Sequence, residues 1–229
     1  MTPKATLAFY VDHFKQWRQQ NYTDQQIAIN ATDDPSYPKW NELTNFFSQL
    51  LNTKKIALLD KEDKVNLLYL IARGFDCAGF LSELNESRPI STCGDLTDKD
   101  FISLAAIATT LTGTEYDDAK SSIAMCFRKF EYSTLEIETI LLKLYADENE
   151  YTKRMALFAL AKLGYKNTTT LVEKSWTIDD EWHKMGCLHV LNEYVKDKFL
   201  LEKYLTEAEG DKRQHLSGYV QQLRIKNNY

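Results

Sequence analysis

Arg154-Met-Ala-Leu-Phe-Ala-Leu-Ala-Lys-Leu-Gly164 is the stretch whose reading decides the fold. Ala156, Leu160 and Leu163 fall at i, i+4 and i+7, the spacing that lines one face of an α-helix. The pattern returns in Met185-Gly-Cys-Leu-His-Val-Leu-Asn-Glu-Tyr194 and again in Gln214-His-Leu-Ser-Gly-Tyr-Val-Gln-Gln-Leu223. Superimposing the copies brings together Ala156, Cys187 and Leu216; Leu160, Leu191 and Val220; and Leu163, Tyr194 and Leu223, at offsets of 31 and 29 residues. A less distinct copy, Ala119 to Phe130 with Ile123 and Phe127, lies 33 residues earlier.

Shorter apolar segments separate the copies: Leu135 to Leu144, Leu171 to Trp176, and Phe199 to Leu205. Each repeat therefore reads as a long helix, a tight joint and a shorter helix. A period in this range marks a helical array, because one pair alone cannot bury its apolar face. The absence of proline from Ile90 to Tyr229 agrees with long helices joined by short turns.

The run Asp147-Glu-Asn-Glu-Tyr-Thr-Lys-Arg-Met-Ala-Leu-Phe-Ala-Leu-Ala-Lys-Leu-Gly-Tyr resembles a HEAT repeat: an acidic joint, a basic residue, then Ala and Leu at helical spacing ending in Gly. The likeness is good over Glu148–Leu223 and loose over Asp63–Ala146, and it fails before residue 60. It departs from the pattern where Arg154 becomes Lys184 or Met185 and the glycine becomes Glu193 or Tyr194. The resemblance implies an all-α fold, an α-solenoid of antiparallel HEAT-like helix pairs.

Upstream, Leu7, Tyr10, Val11, Phe14 and Trp17 predict an amphipathic helix over 4–20, and Trp40, Leu43, Phe46, Phe47 and Leu50 begin another. Asp33-Asp34-Pro35-Ser36-Tyr37-Pro38 reads as a loop between them. Residues 1–60 are expected to form an atypical N-terminal helical cap, and 61–229 the repeat array, within one continuous domain. The longest loop, Asn85 to Asp98, is the best candidate for a hinge or binding loop.

With 44% hydrophobic, 12% aromatic and 27% charged residues, the chain can bury a substantial core. A net charge of −5 argues against a general nucleic-acid binder, whose affinity rests on Lys and Arg neutralising phosphates. The charges are evenly spread: residues 1–115 hold 11 Lys+Arg and 15 Asp+Glu, residues 116–229 hold 17 and 18. Cys77, Cys93, Cys126 and Cys187 form no C-x-x-C pair, so a reduced compartment is the simpler reading, although four cysteines also allow two bridges. The N-terminus lacks a signal peptide's apolar run, and no segment has the roughly twenty apolar residues of a membrane span. The expectation is a soluble, cytoplasmic protein without membrane, nucleic-acid or cofactor partners.

Two features compete for a functional role. Asp118, Glu148, Asp180 and Glu209 recur at intervals of 30, 32 and 29 residues near helix starts, where acids complement the macrodipole by about 0.3–1 kcal/mol each. Stacking would align them, with Asp179 and Glu181, into an edge suited to a basic partner. Trp176-Thr-Ile-Asp-Asp-Glu-Trp182 sets two indoles around three acids, which fits core packing, a binding hot spot or, by analogy with helical-repeat DNA glycosylases, a grip on an altered nucleotide. His183 and Cys187 share a helix face but lack the further ligands zinc needs, and His13 and His215 stand alone. No catalytic or phosphate-binding motif occurs, and no catalytic or metal residue is assigned.

The leading expectation is a non-enzymatic protein-binding module, in its most concrete form an immunity protein neutralising a basic toxin. Its partner-binding candidates are Trp176, Asp179, Asp180, Glu181, Trp182, Asp118, Glu148 and Glu209. An adaptor subunit of a larger complex and a glycosylase-like enzyme are the alternatives.

Overall fold

The computed structural model describes residues 2–28, 34–52, 55–73 and 98–227. All regular structure among them is helical, without strands. Two compact units divide at Lys129 and Phe130, so the boundary expected near residue 60 lies inside the first unit. The loop expected over Asn85 to Asp98 lies outside the described residues, apart from Asp98, which begins a helix.

In the first unit, α1 (Pro3–Asn21) begins on Thr2, whose hydroxyl accepts the Ala5 amide at 3.3 Å, with Pro3 in the first turn where its missing amide costs nothing. It buries Leu7, Tyr10, Val11 and Phe14 of the expected stripe, together with Arg18, while Trp17 is half-buried. After α2 (Asp24–Ala28) and α3 (Trp40–Asn52) comes α4 (Lys61–Arg73), in which Leu67 through Arg73 are all buried. A helix with no exposed face over two turns must be surrounded. α1, α5 (Asp98–Ala108) and α6 (Asp117–Phe127) surround it.

The segment expected as a loop at 33–38 anchors this unit. Its described part is 34–38, of which Asp34–Ser36 form a single 3-10 turn. The Asp34 carboxylate faces Arg18 at 3.3 Å and Arg73 at 3.7 Å, all three residues buried. Trp40 donates its indole N–H to the Asp34 carbonyl at 2.6 Å, and Tyr37 packs edge-on against Phe14 with ring centroids 4.8 Å apart. A buried carboxylate between guanidiniums needs such exact placement, because removing one partner of a buried pair costs about 3–5 kcal/mol.

The second unit contains α7 (Leu135–Tyr145), α8 (Glu150–Lys162), α9 (Thr168–Trp176), α10 (Glu181–Val190), α11 (Lys198–Ala208) and α12 (Gln214–Asn227). Four of its helices start identically. Thr134, Asn149, Asp180 and Asp197 each accept the backbone N–H three residues on, at 3.2, 2.9, 2.8 and 3.0 Å. Two of the superimposed sets are core positions: Ala156, Cys187, Leu216, Leu160, Leu191 and Val220 are all buried. In the third set only Leu223 is buried, while Leu163 and Tyr194 are half-exposed.

Contacts between successive long helices join like ends. At the starts, His183 Nδ1 lies 3.2 Å from Glu150 Oε1, and Glu181 Oε2 accepts the Leu216 amide at 3.4 Å. At the far ends, Lys226 donates to Glu193 at 2.6 Å and Asn227 to Asn192 at 2.9 Å. The short helices behave likewise: the Tyr145 hydroxyl meets Ser175 Oγ at 2.7 Å, and Trp176 stacks on Tyr204.

The two long-to-short joints after α8 and α10 differ by one residue. α8 ends on Gly164 at φ 73°, and the Tyr165 amide reaches back to the Leu160 carbonyl, a left-handed ending that glycine adopts freely. α10 instead runs into a π-helical turn, Leu191–Val195, which inserts one residue. The left-handed position is thereby pushed to Lys196, at φ 57°. A side chain there costs about 1 kcal/mol relative to glycine.

Candidate interaction edge

The starts of α8, α10 and α12, with the joints before them, hold nine of the second unit's sixteen acids and three exposed aromatic rings. Residues 146–154, 177–184 and 207–214 hold nine Asp/Glu against five Lys/Arg. Glu150, Asp180 and Glu181 sit beside the positive ends of helix dipoles, whereas Glu207 and Glu209 lie at the closing end of α11.

Tyr151 and Trp182 are each the second residue of a long helix and 43% and 42% exposed; His215 is the equivalent residue of α12 and also exposed. Trp182 and His215 stack with centroids 4.7 Å apart and planes 30° apart, and the Arg154 guanidinium lies 5.1 Å from the Tyr151 ring centre. In the sequence His215 reads as isolated and Tyr151 does not stand out. The signal was present as an aromatic ring at the second helical position of each copy, at offsets of 31 and 33.

The two tryptophans separate. Trp176 is half-buried, stacked on Tyr204 at 4.4 Å, with its N–H donated to Glu207 at 2.7 Å and the Lys184 ammonium 5.6 Å from its ring centre. It joins α9 to α11. Trp182 faces outward from α10, so the two indoles contact different helices.

The expected acids occupy distinct positions. Asp118 lies exposed in the first turn of α6, in the first unit, beside the Asp117–Lys120 pair. Glu148 is exposed just before the Asn149 cap. Asp180 caps α10, and Glu181 reaches across to α12. The Asp179 side chain is 88% exposed, between Arg213 at 3.1 Å and Lys184 at 3.8 Å. Glu209 departs from the expected helix start: it closes α11 and pairs with Arg224 at 2.9 Å.

Comparison with known families, curated proteins and solved structures finds no significant match to this chain. The edge is therefore read from its own chemistry.

Its cations are interleaved with the acids. Arg213 pairs with both Asp211 and Asp179, and its hydrogen bonds hold the Asp211 carboxyl well below the usual carboxylate range. Beneath the surface, Glu150 Oε1 accepts from Arg154 Nε at 2.8 Å and meets the fully buried His183. Burial opposes Glu150 ionisation, but the hydrogen bonds from His183 and Arg154 outweigh it and lower its pKa. His183 Nε2 is buried without a hydrogen-bond partner. Cys187, one turn along, is buried against the Val172 carbonyl, and burial pushes its thiol up to about 12. Among the described residues no three His, Cys, Asp or Glu side chains converge as metal ligands, and no helix is long and apolar enough to cross a membrane.

Proposed function

We propose that the second unit is a HEAT-like α-solenoid of antiparallel helix pairs, and that the protein is a non-enzymatic binding module for a cationic protein partner. Support for the solenoid comes from the contacts between like helix ends, which recur one repeat apart. Glu150 to His183 spans 33 residues, Tyr145 to Ser175 spans 30, Trp176 to Glu207 spans 31, and Glu193 to Lys226 spans 33. Lys162 at the end of α8 donates to the Phe130 carbonyl before α7 at 3.2 Å, which fits antiparallel packing within that pair.

The observation that carries the functional reading is the outward Trp182–His215 stack among nine acids. An aromatic platform flanked by carboxylates suits a Lys- or Arg-bearing segment, through ring contact and long-range attraction together. A basic toxin is one such partner. The same acidic surroundings disfavour a nucleic-acid substrate.

The test is affinity purification from the native host with the wild type, Trp182→Ala and Asp179→Lys, each shown by circular dichroism to be folded. The expected result is a basic protein retained by the wild type, weakened about tenfold or more by either change and released by salt. Equal recovery by all three proteins overturns the reading.

A further inference from the structure

The opposite end of the second unit has the complementary character. The ends of α8, α10 and α12 and the joints following α8 and α10 carry Lys162, Lys166, Lys196, Lys198 and Lys226, against Glu193 and Asp197, while Arg224 of α12 pairs with Glu202 and Glu209 of α11. Both acids are engaged, Glu193 by Lys226 and Asp197 as the cap of α11. Lys196 and Lys198 form no ion pair among the described residues.

Three features meet at the joint between α10 and α11. The π-helical turn displaces the left-handed position onto Lys196, where the preceding repeat uses Gly164. Lys196 and Lys198 are exposed. Between Asp197 and the core residue Leu200 stands Phe199, 85% exposed, more than any other large hydrophobic residue described. An ammonium kept where glycine would be less strained, beside an aromatic ring held in water, is the composition of a contact point rather than of a turn.

We infer that this knob, Lys196–Phe199, docks on the helix-start edge of a second copy of this chain, giving head-to-tail self-association. The inference rests on the reading of that edge as a docking surface for cationic segments and adds such a segment of a second copy as a further occupant. Charge complementarity selects a second copy: the knob offers two lysines and an aromatic ring, and the edge offers Asp179, Glu148 and the Trp182–His215 stack. The two surfaces differ and lie at opposite ends of the long helices. The contact is therefore heterologous, and such contacts grow into chains or rings instead of stopping at a symmetric dimer.

Sedimentation velocity over a range of protein concentrations tests this at low and at about 0.5 M salt. The wild type is expected to pass beyond dimers at low salt and to weaken about tenfold or more at high salt. Asp179→Lys removes the edge, and the double change Lys196→Gly with Phe199→Ser removes the knob; each protein alone should be monomeric. Their equimolar mixture should give dimers and nothing larger, because one intact knob meets one intact edge. Lys196→Gly alone should not lower Tm, which separates docking from folding. A wild type monomeric at every concentration overturns the inference, as does a dimer that the mixture fails to restore. Either result leaves the cationic-partner reading to stand or fall on the affinity purification.

Discussion

Replacing Glu150 tests the link between α8 and α10 most directly. Its carboxylate takes hydrogen bonds from Arg154 at 2.8 and 3.3 Å and faces His183 Nδ1 at 3.2 Å. The Arg154 pair lies one turn along a partly exposed helix face and contributes only about 0.3–0.5 kcal/mol. The His183 contact is different, because the ring is fully buried and Nε2 already lacks a partner. Glu150→Ala leaves both ring nitrogens unsatisfied in the interior, at about 1.5–3 kcal/mol for a hydrogen bond to a charged group. The expected total is about 2–3 kcal/mol, which for a chain of this size lowers Tm by about 5–10 °C. Glu150→Gln keeps an acceptor for the imidazole and should lose only about 1 kcal/mol. Urea unfolding followed by circular dichroism and tryptophan fluorescence reads both changes. Equal losses for the two variants, or a Glu150→Ala loss below about 0.5 kcal/mol, would refute the proposed role. The pH dependence has a fixed sign. The folded pKa of Glu150 lies below its ordinary 4.5, so the unfolded chain binds more protons at this group. The stabilisation is complete above pH 4.5 and is lost as pH falls through the folded value. The gap between wild type and Glu150→Gln should therefore narrow in acid.

Three further changes probe the same unit. Leu160→Asp puts a carboxylate at a fully buried position of α8 and should unfold the adjacent repeats together, seen as a lost or split thermal transition; normal cooperative melting would contradict the repeat register. Gly186→Ala would set a methyl 2.9 Å from Arg154 Cδ and 3.3 Å from Phe158 Cε1, forcing α8 and α10 apart at a loss of about 1–2 kcal/mol by urea unfolding. Asp180→Ala removes the cap that accepts the His183 amide and should lose about 1 kcal/mol, while Asp180→Asn should be nearly neutral. Equal effects of the two Asp180 changes would mean that charge, not capping, sets its contribution.

Helical periodicity made the helices and the buried sets at Ala156 and Leu160 legible, because burial in a helix is a local, periodic property. The π-helical turn was not legible. One inserted residue looks like an irregular offset, so periodicity puts the lost glycine at Glu193 or Tyr194, whereas the left-handed residue is Lys196. Asp34 was invisible for another reason: its partners come from α1 and α4, brought beside a segment whose Asp and Pro residues signal a turn. Within the edge, spacing brought the acids of the α8 and α10 joints into one group but could not separate a cap such as Asp180 from an open carboxylate such as Asp179. Nor could it separate Trp176, joined to Tyr204 and Glu207, from the outward Trp182. Those distinctions depend on which neighbour the next repeat supplies.

The hydrogen bonds that span about one repeat also bear on how the second unit forms. Contacts between residues some thirty positions apart close small loops, whose entropy is modest and grows only slowly with length. Its assembly should therefore be fast, starting at any well-packed neighbouring pair and growing outward one helix at a time. The nucleus is expected at the α7–α8 pair, adjacent in sequence and closely packed, with Lys162 donating to the Phe130 carbonyl. Ribosomal synthesis would deliver both halves of that nucleus before α12 has emerged.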